Sequence, residues 1–326
     1  MRNISNNLLF ISTLCLTHIS TALVDTPVKF SESASKDWTC GYAAKLGLSA
    51  NDLIFKKDHY PSLHKDVLQA PEYNVARLMG APNYRPSRAS KSLYGTAQPS
   101  VEGLREFFEE SKEQNIIWFN LREEVVVYFS GYSFNLRAVT APFKNLSLAG
   151  MSAQELEQTE KCIVENLKRN RPELILVDES VDMKVIPALP IDYDDIQTVA
   201  EVFAENSHWV KSLQYVRIPI TDEKSAEMAD LKAIAKSINE AKLNNPNVAI
   251  TFNCHAGRGR TTQGMIVASL VANPQAILDE LIELEGHLKN LKKDIQKAST
   301  PKERADFEKR IATLEAFKMS LQKKTY

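Results

Sequence analysis

VAITFNCHAGRGRTT, residues 248–262, decides how this chain reads. A compact apolar run at 248–252 passes straight into a loop holding Cys254, Gly257 and Gly259, and Thr261 opens a helix expected to reach residue 272. A strand–loop–helix passage of this kind binds phosphate. Consecutive backbone N–H groups wrap the oxygens and the helix N-terminus adds its dipole. Gly257 and Gly259 are expected to allow the tight curve, because glycine reaches positive φ without strain. Arg260, six residues after Cys254, can fold back over the loop, and its planar fork suits two phosphate oxygens. The same surroundings favour the thiolate, which is the nucleophilic form of cysteine. Thr261 or Thr262 is placed to donate a hydrogen bond to the sulfur. The expected geometry sets this sulfur at the mouth of a ring of amides, with His255, Ala256, Gly257, Arg258, Gly259, Thr261 and Thr262 as the binding loop. A cysteine followed six residues later by arginine is a weak signal alone. A buried strand before it and Arg-Thr-Thr after it make a structural cysteine in an unrelated glycine loop the poorer reading.

A thiolate that attacks phosphorus needs an acid for the departing alkoxide. Asp222 follows a strand expected at 215–220 and precedes Cys254 by 32 residues in the numbering. If the two strands are neighbours in a parallel sheet, both loops emerge at the same carboxyl edge, where ligands bind in such folds. A lone Asp after a strand is more often a helix N-cap. Here Ser225 is expected to cap the next helix, which frees Asp222; Glu223 and Asp230 are less favoured acids. Arg258 within the loop, His255 beside the nucleophile and Lys224 after the acid add potential cations. They point to a substrate with several phosphates rather than one. The bland alternative has Arg258 solvated or paired with Glu223.

Composition sets the outer bounds. The chain has 326 residues, 44% hydrophobic and 25% charged, with a formal net charge of -1. That supports a sizeable core and gives no support for a nucleic-acid partner. Of the four cysteines, Cys40 and Cys162 are free to pair in an oxidising compartment, and neither spacing nor neighbours suggests a metal site. The chemistry read here calls for no cofactor and no metal. Residues 1–22 read as an export signal: Arg2, an apolar stretch from Leu8 and small residues Ser20 and Ala22. No later stretch is long and apolar enough to span a bilayer. The expected location is therefore periplasmic or secreted.

Along the chain, 23–70 reads as an irregular lead-in, and the Pro and Gly of 71–100 mark loops and short strands. Ser100 should cap a helix over 101–114, and Ser152 with Glu155 has capping-box spacing for a helix to 170. A strand is expected at 116–120 and a hairpin over 124–136 turning at Ser130-Gly131. Further strands are expected at 174–177, 215–220 and 248–252, with helices at 193–206, 226–243 and 261–272. This alternation gives an α/β domain over 23–274 with a central, mostly parallel sheet flanked by helices. Residues 275–326 read as a helical hairpin broken at Ser299-Thr300-Pro301 and packed on the domain. The sharper alternative makes it a dimer arm or a contact for a protein partner.

The stretches YVRIPITDE (215–223) and FNCHAGRGRTTQGMIVASL (252–270) closely resemble the paladin and protein-tyrosine-phosphatase-like phytase family. MGAPNYR (79–85), YGTAQPSVEGL (94–104) and WFNLREEVVVYFSGYSFNLR (118–137) are similar to its paladin type. The resemblance implies a tyrosine-phosphatase-like fold, a phosphocysteine mechanism, and inositol phosphates or phosphoinositides as substrates. It matches Cys254 to the nucleophile, Arg260 to the phosphate-binding arginine and Asp222 to the general acid. Two positions depart from the phytase pattern: Asn253 stands where His is usual, and His255 where Glu is usual. A protein tyrosine phosphatase is the alternative within enzymes, and a non-catalytic phosphate-binding scaffold the alternative outside them.

Overall fold

The computed structural model describes residues 37–58, 78–87, 90, 92–179, 185–187 and 190–272, with scattered positions between 285 and 315. The expected export signal lies outside the described residues, and the expected C-terminal hairpin lies largely outside them. No helix among the described residues is long and apolar enough to cross a membrane.

The strands are β1 (Leu53–Lys57), β2 (Arg85–Pro86), β3 (Leu93–Thr96), β4 (Asn115–Arg122), β5 (Val126–Phe129), β6 (Tyr132–Ala138), β7 (Leu176–Glu179), β8 (Val185–Pro187), β9 (Ile196–Thr198), β10 (Ser212–Ile220) and β11 (Ala249–Asn253). The helices are α1 (Tyr42–Lys45), α2 (Val101–Ser111), α3 (Ala153–Asn170), α4 (Val199–Glu205), α5 (Met228–Asn244) and α6 (Gly259–Ala272).

A five-stranded sheet runs β10-β4-β11-β3-β2, with the first four strands mutually parallel and β2 antiparallel at the edge. β4 is buried on both faces, and its alternating residues divide between two cores. Ile117, Phe119 and Leu121 meet Ile234 and Ile238 of α5 and Met265 and Ala268 of α6. Ile116 and Trp118 meet Leu104 and Phe107 of α2 and Val202 and Phe203 of α4. Helices therefore cover both faces. In register, Asn253 stands beside both Thr96 and Asn120, and Ile220 beside Arg122. The carboxyl ends of β3, β4, β10 and β11 thus deliver their loops to one edge.

The sequence reading did not anticipate a second, six-stranded sheet, ordered β8-β7-β1-β6-β5-β9. It is antiparallel except where β1 runs parallel to β7. Its inner face packs on Leu156, Ile163 and Leu167 of α3. The expected hairpin is present as β5 and β6, and the expected caps form: Ser100 accepts from the Gly103 amide, and Ser152 and Glu155 close a capping box. Three readings need correction. The lead-in contains a buried strand, LIFKK, whose two terminal lysines hid it. The expected helix at 193–206 begins as strand β9, because Ile196–Thr198 pairs with the hairpin edge before Thr198 caps α4. α5 starts at Met228 behind the cap of Glu227 and its box partner Asp230, so Ser225 is not the cap.

Candidate active site

β11 is the middle strand of the five and its residues are all buried. It ends at Asn253, whose side chain accepts from Trp118 Nε1 at 2.8 Å and donates to Gln98 Oε1 at 3.0 Å. The backbone leading into Cys254 is therefore fixed from both neighbouring strands. The loop's carbonyls are engaged by groups outside it. The His255 carbonyl accepts from the Gln98 amide at 3.2 Å, and Asn83 Nδ2 donates to the carbonyls of Ala256 and Gly257 at 3.3 and 3.2 Å. Arg85 Nη1 donates to Gly257 O at 2.6 Å. With these carbonyls turned outward, the loop's amides are left to face its interior. Gly257 has φ 71°, and a Cβ there would lie 2.6 Å from the Thr96 carbonyl carbon, so glycine is required both for conformation and for space. Gly259 has neither constraint: its φ is not positive and nothing lies within 4 Å of an added Cβ. The curve is made at Gly257 alone.

Cys254 is a free cysteine, 3% exposed. It packs in the core cluster with Phe252 and Met265, so the expected place at an open mouth is corrected to a buried one. The two threonines expected near the sulfur brace the loop instead. Thr261 donates to Thr96 O at 3.3 Å, and the Thr262 hydroxyl accepts from Arg85 Nη2 at 3.0 Å.

Arg260 is almost fully buried. Its guanidinium grips the carboxylate of Glu124 through both Nη atoms, at 3.0 and 2.9 Å, and Nη1 also donates to Ile220 O at 3.1 Å. Nη2 lies 3.1 Å from Asp222 Oδ1. The buried Nε has no hydrogen-bond partner among the described residues. Asp222, in the turn after β10, has its other oxygen hydrogen-bonded by Asn145 Nδ2. Sequence reasoning thus named three residues, Cys254, Arg260 and Asp222, that the sheet brings to one edge.

Residues 119–272 match the family model of the protein-tyrosine-phosphatase-like (PTP-like) phytases, described as inositol hexakisphosphate. Over these residues the chain is similar to the PTP-like phytases. Curated relatives include Paladin of Xenopus tropicalis, 26% identical over 283 residues, which covers 79% of this chain and 31% of that protein. Paladin of Homo sapiens is 28% identical over 257 residues, covering 75% of this chain and 28% of that protein. The chain therefore spans about three tenths of the length of these curated relatives. Two solved structures share the fold. The PTP-like phytase from Bdellovibrio bacteriovorus has a TM-score of 0.50 at 21% identity, covering 83% of this chain and 88% of that one. The PTP-like myo-inositol phosphatase from Mitsuokella multacida, in complex with myo-inositol-(1,3,4,5)-tetrakisphosphate, has a TM-score of 0.53 at 19% identity, covering 87% and 49%.

Around its loop the protein holds a buried row of alternating charges. Asp58 pairs with Arg122 at 2.5 Å, Arg122 with Glu124 at 3.3 Å, Glu124 with Arg260, and Arg260 with Asp222. Burial would push the carboxyls of Asp58 and Glu124 upward. The guanidinium of Arg122 beside Asp58, and those of Arg260 and then Arg122 beside Glu124, outweigh it and hold both well below the usual carboxylate range. Arg217 fixes the turn beneath, donating to Arg122 O at 2.7 Å and Glu124 O at 3.0 Å. The sequence reading missed Asp58, Arg122, Glu124, Asn83, Arg85 and Gln98. The available signal was Arg122-Glu123-Glu124, three charges between two apolar strands with no Gly or Pro to mark an exposed turn.

His255 needs correcting as a potential cation. Its Nε2 lies 3.1 Å from Asp58 Oδ1 and 3.4 Å from Arg137 Nη2. Burial, then the charge of Arg122, lowers its pKa to about 4 against the opposing pull of Asp58, so the ring is neutral near pH 7. Its side chain belongs to the charge row; the loop uses only its backbone. Arg258 and Lys224 are exposed beside the loop.

Proposed function

We propose that this chain is a cysteine-dependent phosphatase that hydrolyses phosphomonoesters of inositol polyphosphates through a phosphocysteine intermediate. The outward-turned carbonyls of residues 255–257 carry the proposal, because they leave the loop amides to hold a phosphoryl group directly over Cys254. The backbone of His255, Ala256, Gly257, Arg258 and Gly259 binds the phosphoryl oxygens, with Thr261 and Thr262 bracing it. A phosphoryl oxygen takes Nη2 of Arg260 from Asp222, which frees Asp222 Oδ1 to face the leaving oxygen. The sulfur forms a bond to phosphorus, the ester P–O bond breaks, and the proton of Asp222 goes to the alkoxide. Water then attacks phosphorus, the S–P bond breaks, and Asp222 takes the water's proton.

Arg258 and Lys224 at the rim supply positive charge for further phosphates. The family that matches residues 119–272, described by inositol hexakisphosphate, and the inositol phosphate in the Mitsuokella multacida complex support the same substrate class. Export belongs to the proposal too, supported by the Cys40–Cys162 disulfide, since such bonds persist in oxidising compartments. The domain over 23–274 and a partner contact through 275–326 stay within the proposal as read from the sequence. The deciding experiment compares phosphate release from inositol hexakisphosphate and from a phosphotyrosine peptide, with Cys254→Ser alongside. The inositol ester should be preferred and the variant inactive. Equal or greater release from the peptide ends the inositol reading, and a wild type no better than Cys254→Ser leaves only the scaffold.

A further inference from the structure

Asp222 sits in a turn that is thinly held. Thr221 and Asp222 are partly exposed and Glu223, Lys224 and Ser225 exposed; Glu223 adopts φ 58°, Lys224 N lies 3.3 Å from Thr221 O and Gln263 Nε2 3.5 Å from Lys224 O, and the firmer tie, Ala226 N to Gln263 Oε1 at 3.0 Å, comes only after the turn. Such a turn does not by itself fix where a carboxyl points. Two side chains reach Asp222: Arg260 on Oδ1, and a residue from the segment that follows β6 on Oδ2. Asn145 lies in the segment between β6 and α3, and its Nδ2 donates to Asp222 Oδ2.

That segment is anchored along its length. Val139 N donates to Asp52 O at 2.9 Å, Gly150 N to Glu123 Oε1 at 2.7 Å, and the Tyr42 hydroxyl to Leu146 O at 3.3 Å. Leu146 and Leu148 pack on the core beneath the second sheet. The residue next to Asn145 is held by core packing as well as by the Tyr42 hydroxyl, whereas the Asp222 turn has no core side chain of its own between residues 221 and 225. Its own Oδ1 is buried without a hydrogen-bond partner among the described residues. Burying an amide in that state costs roughly 1–3 kcal/mol, which stability alone does not explain.

We propose that Asn145 is a positioning residue for the general acid, resting on the phosphatase reading above. An oxygen that accepts from an amide N–H is the carbonyl-like oxygen of a carboxylic acid. Once a phosphoryl oxygen has taken Nη2 of Arg260 from Oδ1, Asn145 on Oδ2 leaves Oδ1, the oxygen that faces the loop, to carry the acid proton. In the transfer the Oδ1–H bond breaks, the leaving alkoxide gains the proton, and Oδ2 keeps its amide partner throughout.

The test measures kcat/KM of Asn145→Ala and Asn145→Asp on inositol hexakisphosphate, an alkyl ester that needs protonation, and on 4-nitrophenyl phosphate, whose leaving group does not. Both variants should lose about 10-fold or more on the alkyl ester and less than about 3-fold on the aryl ester. Adding either change to Asp222→Asn should cost nothing further on the alkyl ester. Equal losses on the two esters, no loss on either, or additive losses in the double variant overturn the assignment. A wild type inactive on both esters instead defeats the phosphatase reading, and this inference with it.

Discussion

Replacing Glu124 by Gln should damage both the fold and the phosphate site, through one side chain. Glu124 is fully buried, takes both Nη atoms of Arg260 at 2.9–3.0 Å, and lies 3.3 Å from Arg122 Nε. Opposite charges about 4 Å apart attract by about 4 kcal/mol at an effective dielectric of about 20. Neutralising Glu124 leaves two buried guanidinium groups with Asp58 as the remaining buried anion. Breaking a buried pair from one side costs about 3–5 kcal/mol, which for a body of this size lowers the melting temperature on the order of 10 °C. The amide can still accept one hydrogen bond, so the loss should fall toward the lower end. Catalysis should suffer further, because Arg260 loses the brace that aims it, and misplacement of about 1 Å costs about 100-fold. Thermal unfolding and kcat/KM on inositol hexakisphosphate, run on Glu124→Gln, Arg260→Met and the double variant, separate the two effects. If Glu124 acts through Arg260, the double variant is no less active than Arg260→Met. A Glu124→Gln protein of wild-type stability and activity, or a double variant with additive losses in rate, refutes the reasoning.

Gly257→Ala places a Cβ against Thr96 at positive φ, so it should abolish activity and lower stability by about 1–3 kcal/mol, read from activity and urea unfolding; an active Ala variant would show the loop curve is misassigned. The His255 pKa falls from about 6.5 unfolded to about 4 folded, so only the unfolded chain takes up a proton between those values. Stability should therefore rise from pH 4 to 6.5, by at most about 3 kcal/mol, and be level above. His255→Asn should flatten that slope in urea titrations at stepped pH, and an unchanged slope removes His255 as its source. The Cys40–Cys162 disulfide spans 122 residues, and Cys40→Ser with Cys162→Ser should lower unfolding stability by about 2–4 kcal/mol while leaving kcat unchanged. A loss of kcat at temperatures where the variant is folded would tie the bond to the site itself.

What the sequence determined was local. The strand–loop–helix passage was legible because its parts are contiguous: a buried strand, a glycine at the curve and a helix whose first turn carries the arginine, all within 248–262. The caps at Ser100 and Ser152 and the turn at Ser130-Gly131 rest on contacts three or fewer residues apart, so spacing alone located them. Tertiary structure decided what each side chain meets. Arg260 meets Glu124 across 136 positions, His255 meets Arg137 across 118, and Arg85 meets the loop across 172. No local pattern encodes such pairings, because strand order and register create them. The same holds for LIFKK: Lys56 reads as a solvent-facing residue, and only the closure of β1 between β6 and β7 buries it. Periodicity reports which face of an element is apolar, whereas the identity of the neighbour on that face is set by how the elements assemble.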